Sequence, residues 1–145
     1  MVKICYIIRG LPGTGKSALA KSLSLTSESK LYNVFSTDDL FMDANGVYQF
    51  DPTKLSEYHL KNLQNAGAFM KRYSEYNGQV ICVIDNTNTM KWEYEEYEKM
   101  AQSFGFMVQV ISIAWDAKDI PLYAKRNTHG VPVEAIERMA ARWEN

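Results

Sequence analysis

The stretch Gly10-Leu11-Pro12-Gly13-Thr14-Gly15-Lys16-Ser17 decides how this chain folds. Four residues separate the outer glycines and Lys-Ser follows, which is the pattern of a phosphate-binding loop. Its flanks agree. Ile4 to Ile8 is a β-branched apolar run, as in a strand buried on both faces of a parallel sheet, and Leu19, Ala20 and Leu23 share one face of a helix from Lys16 to about Leu25. A mere tight connection between elements needs neither flank. Glycine is required because the backbone must wrap a polyphosphate closely, with the amides of Gly13 to Ser17 turned inward at a helix N-terminus. Lys16 then brings a point charge toward the β- and γ-phosphates, and the Ser17 hydroxyl can ligate Mg²⁺. The expected nucleotide contacts are Gly10, Pro12, Gly13, Thr14, Gly15, Lys16, Ser17 and Ala18, with ATP as the nucleotide, GTP not excluded, and Mg²⁺ as the metal. Such a loop does not by itself choose among kinase, ATPase and switch GTPase.

Outward from the loop, strands and helices alternate. Asn33 to Ser36 reads as a second strand running into Thr37-Asp38-Asp39, and Asn45-Gly46 as the turn of a small hairpin. Asp51-Pro52 opens a long helix whose stripe of Leu55, His59, Leu63, Ala66, Met70 and Tyr73 ends near Asn77-Gly78. Gln79 to Ile84 is a third strand. Thr89 is placed to cap a helix that buries Tyr94, Tyr97, Met100 and Phe104 and stops at Gly105. Phe106 to Ala114 makes a fourth strand. A short helix follows around Ile120 to Asn127, then a His129-Gly130 break and a last helix begun by Pro132. This alternation predicts a parallel sheet with helices on both faces.

The chain has 145 residues, about one domain's worth, and neither a repeat nor an interdomain linker, so residues 1–145 read as a single domain. With 46% hydrophobic and 23% charged residues it can build a core, and disorder is set aside. A net charge of −1 supplies no global field for nucleic acid or anionic membrane. Cys5 and Cys82 lie in apolar runs and read as reduced core residues. The short apolar stretch before Arg9 is too little for a signal peptide or a membrane span, so a cytoplasmic location without membrane contact is expected.

Parallel sheets place ligands outside the carboxyl ends of their strands. Asp38-Asp39 and Asp85 therefore converge on the crevice where the phosphate loop opens. Asp85, after an apolar strand, suits support of the metal or its waters together with Ser17. Asp38 is the expected general base toward an acceptor hydroxyl, and Asp39 is expected to be a cap or turn residue.

Gly10 to Ser17, Ser36-Thr37-Asp38-Asp39, Asp85-Asn86-Thr87-Asn88, and Lys125-Arg126-Asn127 followed by Gly130-Val131-Pro132 together resemble the P-loop polynucleotide 5′-hydroxyl kinases of phage and bacterial RNA-repair systems, with related kinase-like ATPase domains. The pieces stand in that family's order almost from end to end. The resemblance implies a P-loop kinase-like three-layer α/β sandwich with a mostly parallel sheet of about four or five strands and a short helical lid. It also implies catalytic roles for Lys16, Asp38 and Arg126, with Asp85 as a site carboxylate and Arg126 reaching over the nucleotide phosphates from the lid. A bidentate guanidinium there would neutralise the transferring group while the lid excludes water.

Two departures bear on the acceptor. Phe41 stands where the phage enzyme carries an arginine three residues after the base, and His129-Gly130 occupies the segment of its second basic lid residue. His129 is either a substitute donor or a turn residue. His59, in the stripe of the long helix, reads as a hydrogen-bonded histidine first, and Tyr48, Phe50 or Trp92 could stack a base. The leading expectation is an ATP- and Mg²⁺-dependent phosphotransferase acting on a nucleic-acid 5′-hydroxyl, its partner a single-stranded 5′ end. The alternatives are a kinase of a small molecule, nucleoside or hydroxymethylated DNA base, and a non-enzymatic nucleotide-dependent binding module. A motor ATPase fits poorly with so short a chain, and no Asn-Lys-x-Asp segment marks a GTPase switch.

Overall fold

Side chains that alternate in direction along the central strands set the layers. In the computed structural model, which describes residues 2–25 and 31–145, β1 (Lys3–Arg9), β2 (Leu31–Phe35), β3 (Val80–Asp85) and β4 (Met107–Ser112) form a parallel sheet in the order β2-β3-β1-β4. Cys5 pairs in register with Cys82, and Ile7 with Ile84. Successive strand residues face opposite sides. Cys5, Ile7, Cys82 and Ile84 accordingly pack against α2 (Leu55–Arg72) and α3 (Glu95–Ser103), through Ala66, Met70, Tyr97 and Ala101. Ile8, Ile81 and Val83 meet Leu19, Ala20 and Leu23 of α1 (Lys16–Leu25) on the other face. With both faces covered, all six residues of β3 are buried. Both cysteines are free thiols in this core.

A third cluster lies at the loop end of the sheet. Leu11, fully buried, packs with Ile120 and Tyr123 of α4 (Ile120–Arg126) and Ile136 of α5 (Val133–Ala141), beside Trp115 and Trp143. The expected lid helix, α4, and the helix that follows it, α5, thus pack on Leu11 of the phosphate loop. The expected layers and strands are present, with four strands among the described residues.

Several boundaries differ from expectation for local reasons. The long helix ends at Arg72: Tyr73 N–H makes the last α-helical bond, to Phe69 C=O, and beyond it Ser74 N–H and Tyr76 N–H bond three residues back, to Lys71 and Tyr73 C=O, as in turns. Asp51 caps a 3₁₀ turn, Pro52–Lys54, that feeds α2. Thr89 is not the cap of α3. Its hydroxyl donates to Glu93 Oε1 at 2.8 Å, and a 3₁₀ turn at Lys91–Glu93 intervenes. Among the described residues no helix is long and apolar enough to cross a membrane.

Candidate phosphate site and its facing carboxylates

Positive φ angles at Gly13 (81°) and Gly15 (98°) bend the chain between β1 and α1. The turn is tied down by Thr14 N–H to Leu11 C=O at 3.2 Å and Gly10 N–H to Thr87 C=O at 3.1 Å. Gly13 has a second constraint: a Cβ there would lie 2.2 Å from the Tyr123 carbonyl oxygen. The backbone of α4 therefore rests directly on the loop. Lys16 Nζ donates to Leu11 C=O at 3.2 Å, and burial pushes its ammonium below the ordinary lysine value against the opposing charges of Asp85 and Asp38.

Across the loop, the Ser17 hydroxyl donates to Asp85 Oδ2 at 3.3 Å. Asp85 is 6% exposed at the carboxyl end of β3, and burial raises its carboxyl above the usual range while Lys16 and Ser17 oppose the shift. Asp39 lines the same pocket of ≈ 270 Å³ as Ser17 and Asp85. Burial first, then the charge of Asp38, raises it as well. This pair suits Mg²⁺, which takes one or two carboxylates and completes its shell with waters and substrate phosphates. Two ligands at about 2.1 Å on adjacent corners of an octahedron stand about 3 Å apart, close to the Ser17–Asp85 separation. Among the described residues no cluster of three or more His, Cys, Asp or Glu offers a competing cage. Asp39 is interior to a 3₁₀ turn, Thr37–Phe41, whose cap position is Ser36. Of the expected readings, cap or turn residue, Asp39 is the turn residue, and it also lines the pocket with Ser17 and Asp85.

Asp38 occupies the other side of that turn. Thr37 N–H donates to Asn86 Oδ1 at 3.0 Å, and the Thr37 hydroxyl is 2.9 Å from His59 Nδ1, so the loop after β3 and helix α2 jointly fix the end of β2. The Tyr48 hydroxyl donates to Asp38 Oδ1 at 3.1 Å. Burial and the charge of Asp38 push the Tyr48 phenol far above its ordinary value, so it remains a donor. On the opposite oxygen, His129 Nδ1 lies 3.3 Å from Asp38 Oδ2, with its ring 4.3 Å from that of Tyr48.

Lys16, Ser17, Asp85 and Asp38 thus come together as the sequence predicts. Arg126 lies exposed at the C-terminal end of α4. Trp92 is 68% exposed and lines neither groove of the site. Two residues have roles that the sequence does not display, Arg9 and Asn127, the second of which stands in the Lys125-Arg126-Asn127 piece. Arg9, 3% exposed, donates to the carbonyls of Asn88 (2.7 Å), Thr89 (3.0 Å) and Glu144, and lies over the rings of Tyr94 and Trp143. Asn127 donates from Nδ2 to the carbonyls of Ala124 (2.8 Å) and Val131 (3.0 Å) and accepts from Val131 N–H (2.8 Å), closing the segment that carries His129. The only sequence signal for Arg9 was a charge ending a buried strand.

With the loop, its strand order and its facing carboxylates in place, the family follows. A family model described as an AAA domain matches residues 6–145. The chain belongs to that AAA-domain family. This AAA domain is 38% identical to NEDD4-binding protein 2 of Homo sapiens over 144 residues, covering 97% of the chain and 8% of that relative. It spans, then, less than a tenth of the relative's length. Among solved structures, the Pnkp1/Rnl/Hen1 RNA repair complex superposes with TM-score 0.67 at 15% identity, over 97% of this chain and 43% of that one. The APS kinase CysC of Mycobacterium tuberculosis, solved in complex with AMPPNP and APS, superposes with TM-score 0.56 at 18% identity, over 86% of this chain and 73% of that one. The AAA domain has the α/β P-loop kinase-like fold, and its loop is a nucleotide-binding element.

Proposed function

We propose that the protein is an ATP- and Mg²⁺-dependent phosphotransferase that moves the γ-phosphoryl group to a hydroxyl, the 5′-hydroxyl of a nucleic-acid end. The observation that carries this reading is the division of the acids. Asp85 and Asp39 stand with Ser17 in one pocket, while Asp38 is engaged elsewhere by Tyr48 and His129 yet near enough to Lys16 to act on its charge. A carboxylate that takes no part in the Ser17–Asp85 contact but acts on the charge of the loop lysine suits a general base. In the step, Asp38 accepts the proton of the acceptor hydroxyl as its oxygen bonds to the γ-phosphorus; the bond to the β–γ bridging oxygen breaks, and the nucleoside diphosphate leaves. Lys16 and the amides of Gly13, Gly15, Lys16 and Ser17 hold the phosphates in line, and Arg126 closes over them from α4. Mg²⁺, held by Ser17 and Asp85, supplies further neutralisation of phosphate charge when bound.

Likeness to an RNA repair complex and to APS kinase, and the 5′-kinase motifs of the sequence, support the reading. Phe41, 4% exposed, favours a second one, a nucleoside or small alcohol as acceptor, because no cation occupies that position. Incubation with γ-labelled ATP and, separately, a 5′-hydroxyl oligonucleotide, a free nucleoside and water decides between them. Label on the strand end is expected. Label on the nucleoside alone selects the second reading, and label on none of them leaves a binding module.

A further inference from the structure

A second groove, of ≈ 540 Å³, opens between the hairpin around Asn45-Gly46 and the start of α2, with Gln49, Phe50, Lys54 and Tyr58 among its lining residues. Phe41, buried beneath it, has its ring centroid 5.1 Å from that of Phe50 and 4.6 Å from that of Tyr58. Phe50 itself is 51% exposed. It is joined to the candidate base through Tyr48, whose hydroxyl bonds Asp38 and whose ring lies within 14° of parallel to Phe50 at 6.2 Å between centroids. Aromatic surface thus continues from the reacting carboxylate into the groove.

Charge limits what the groove can hold. Its one cation, Lys54, is opposed by Asp43 and Asp51 on the same lining. Gripping a run of phosphates takes several uncompensated cations, which this lining does not offer. A nucleobase fits better: it has a π-face for Phe50, and its exocyclic amines can donate to the carboxylates or to Gln49. Resting on the 5′-hydroxyl reading given above, we propose that this groove seats the base of the acceptor's terminal nucleoside, so that a 5′ end is recognised by its first base and not by its phosphate backbone.

Two oligonucleotides test this, both with a 5′-hydroxyl and differing only in whether the first nucleotide carries a base or is abasic. Loss of the base is expected to raise the acceptor KM of the wild-type protein about ten- to a hundredfold, the usual worth of one stacked base. Phe50→Leu, which keeps apolar bulk at an exposed position, should erase most of that difference, and Phe50→Tyr should restore it. Acceptor KM should change little with added salt. Equal KM for the two strands in the wild type, an equal rise for both in Phe50→Leu, or a steep salt dependence overturns the subsite while leaving the 5′-kinase reading intact. If neither strand accepts label, the acceptor reading fails and the subsite falls with it.

Discussion

His129 Nδ1 stands 3.3 Å from Asp38 Oδ2, so the segment that follows α4 touches the carboxylate at the end of β2. Residues 91 positions apart in sequence meet across the mouth of the phosphate site. The contact depends on Asn127, whose side chain closes the turn carrying His129. Asn127→Ala and His129→Gln should each lower phosphoryl transfer about two- to fivefold, the scale of one partly exposed ion pair. The double variant should be little worse than either, because both changes free the same carboxylate oxygen. Fully additive losses in single-turnover assays would show that the two residues act separately.

Gly13 and Gly15 are expected to respond differently to alanine. Both positions carry a positive φ, where a non-glycine residue costs about 1–3 kcal/mol, but only at Gly13 would the new Cβ meet the Tyr123 carbonyl. Gly13→Ala should therefore lower the melting temperature more than Gly15→Ala, by pushing α4 off the loop. Matching thermal shifts would contradict that packing.

Arg9 holds the chain end against the loop that follows β3. Arg9→Met removes the guanidinium from the carbonyls of Asn88 and Glu144, and leaves Thr89 C=O with Glu144 N–H as its donor, at about 1–3 kcal/mol for each carbonyl that stays dry and unpaired. A lower urea midpoint with unchanged slope is the expected result. Arg9→Lys should recover only part of it, since a single ammonium cannot fork to the same carbonyls. A midpoint equal to that of the wild type would mean that water replaces the guanidinium.

Burial depresses the His59 imidazole below its usual value, against the opposing charges of Glu93 and Asp38. The neutral ring is thus favoured in the folded chain, where it meets the Thr37 hydroxyl. Its contribution to stability is present above about pH 6.5, the ordinary histidine value, and is lost as pH falls through the depressed one. Melting temperatures should decline on acidification from neutral pH, and His59→Gln should flatten that part of the profile. An unchanged slope in the variant would assign the decline to other groups.

What could be read from the chain before its structure follows from which forces are local. The loop, the strand–helix alternation and the apolar stripes rest on spacing along the backbone, and the sheet and its layers are as expected, with Ser17 in contact with Asp85 and Asp38 acting on the charge of Lys16. Burial of Arg9 depends on carbonyls 79 to 135 positions away, which no window of sequence displays. Likewise Tyr48 was legible as an aromatic in a hairpin, but its hydrogen bond to Asp38 exists only because the hairpin folds back on the turn after β2. The end of α2 differs from expectation because Tyr73, the last residue of the apolar stripe, is also the last to make an α-helical bond, and from Ser74 on the backbone bonds reach only three residues back.

The most direct test compares transfer and binding in Asp38→Asn, which keeps the shape of the side chain and removes its basicity. Single-turnover transfer from ATP to a 5′-hydroxyl strand should fall about 10²–10⁴-fold while ATP affinity is retained. Transfer at the wild-type rate, or loss of ATP binding in step with transfer, would contradict a proton-accepting role for Asp38.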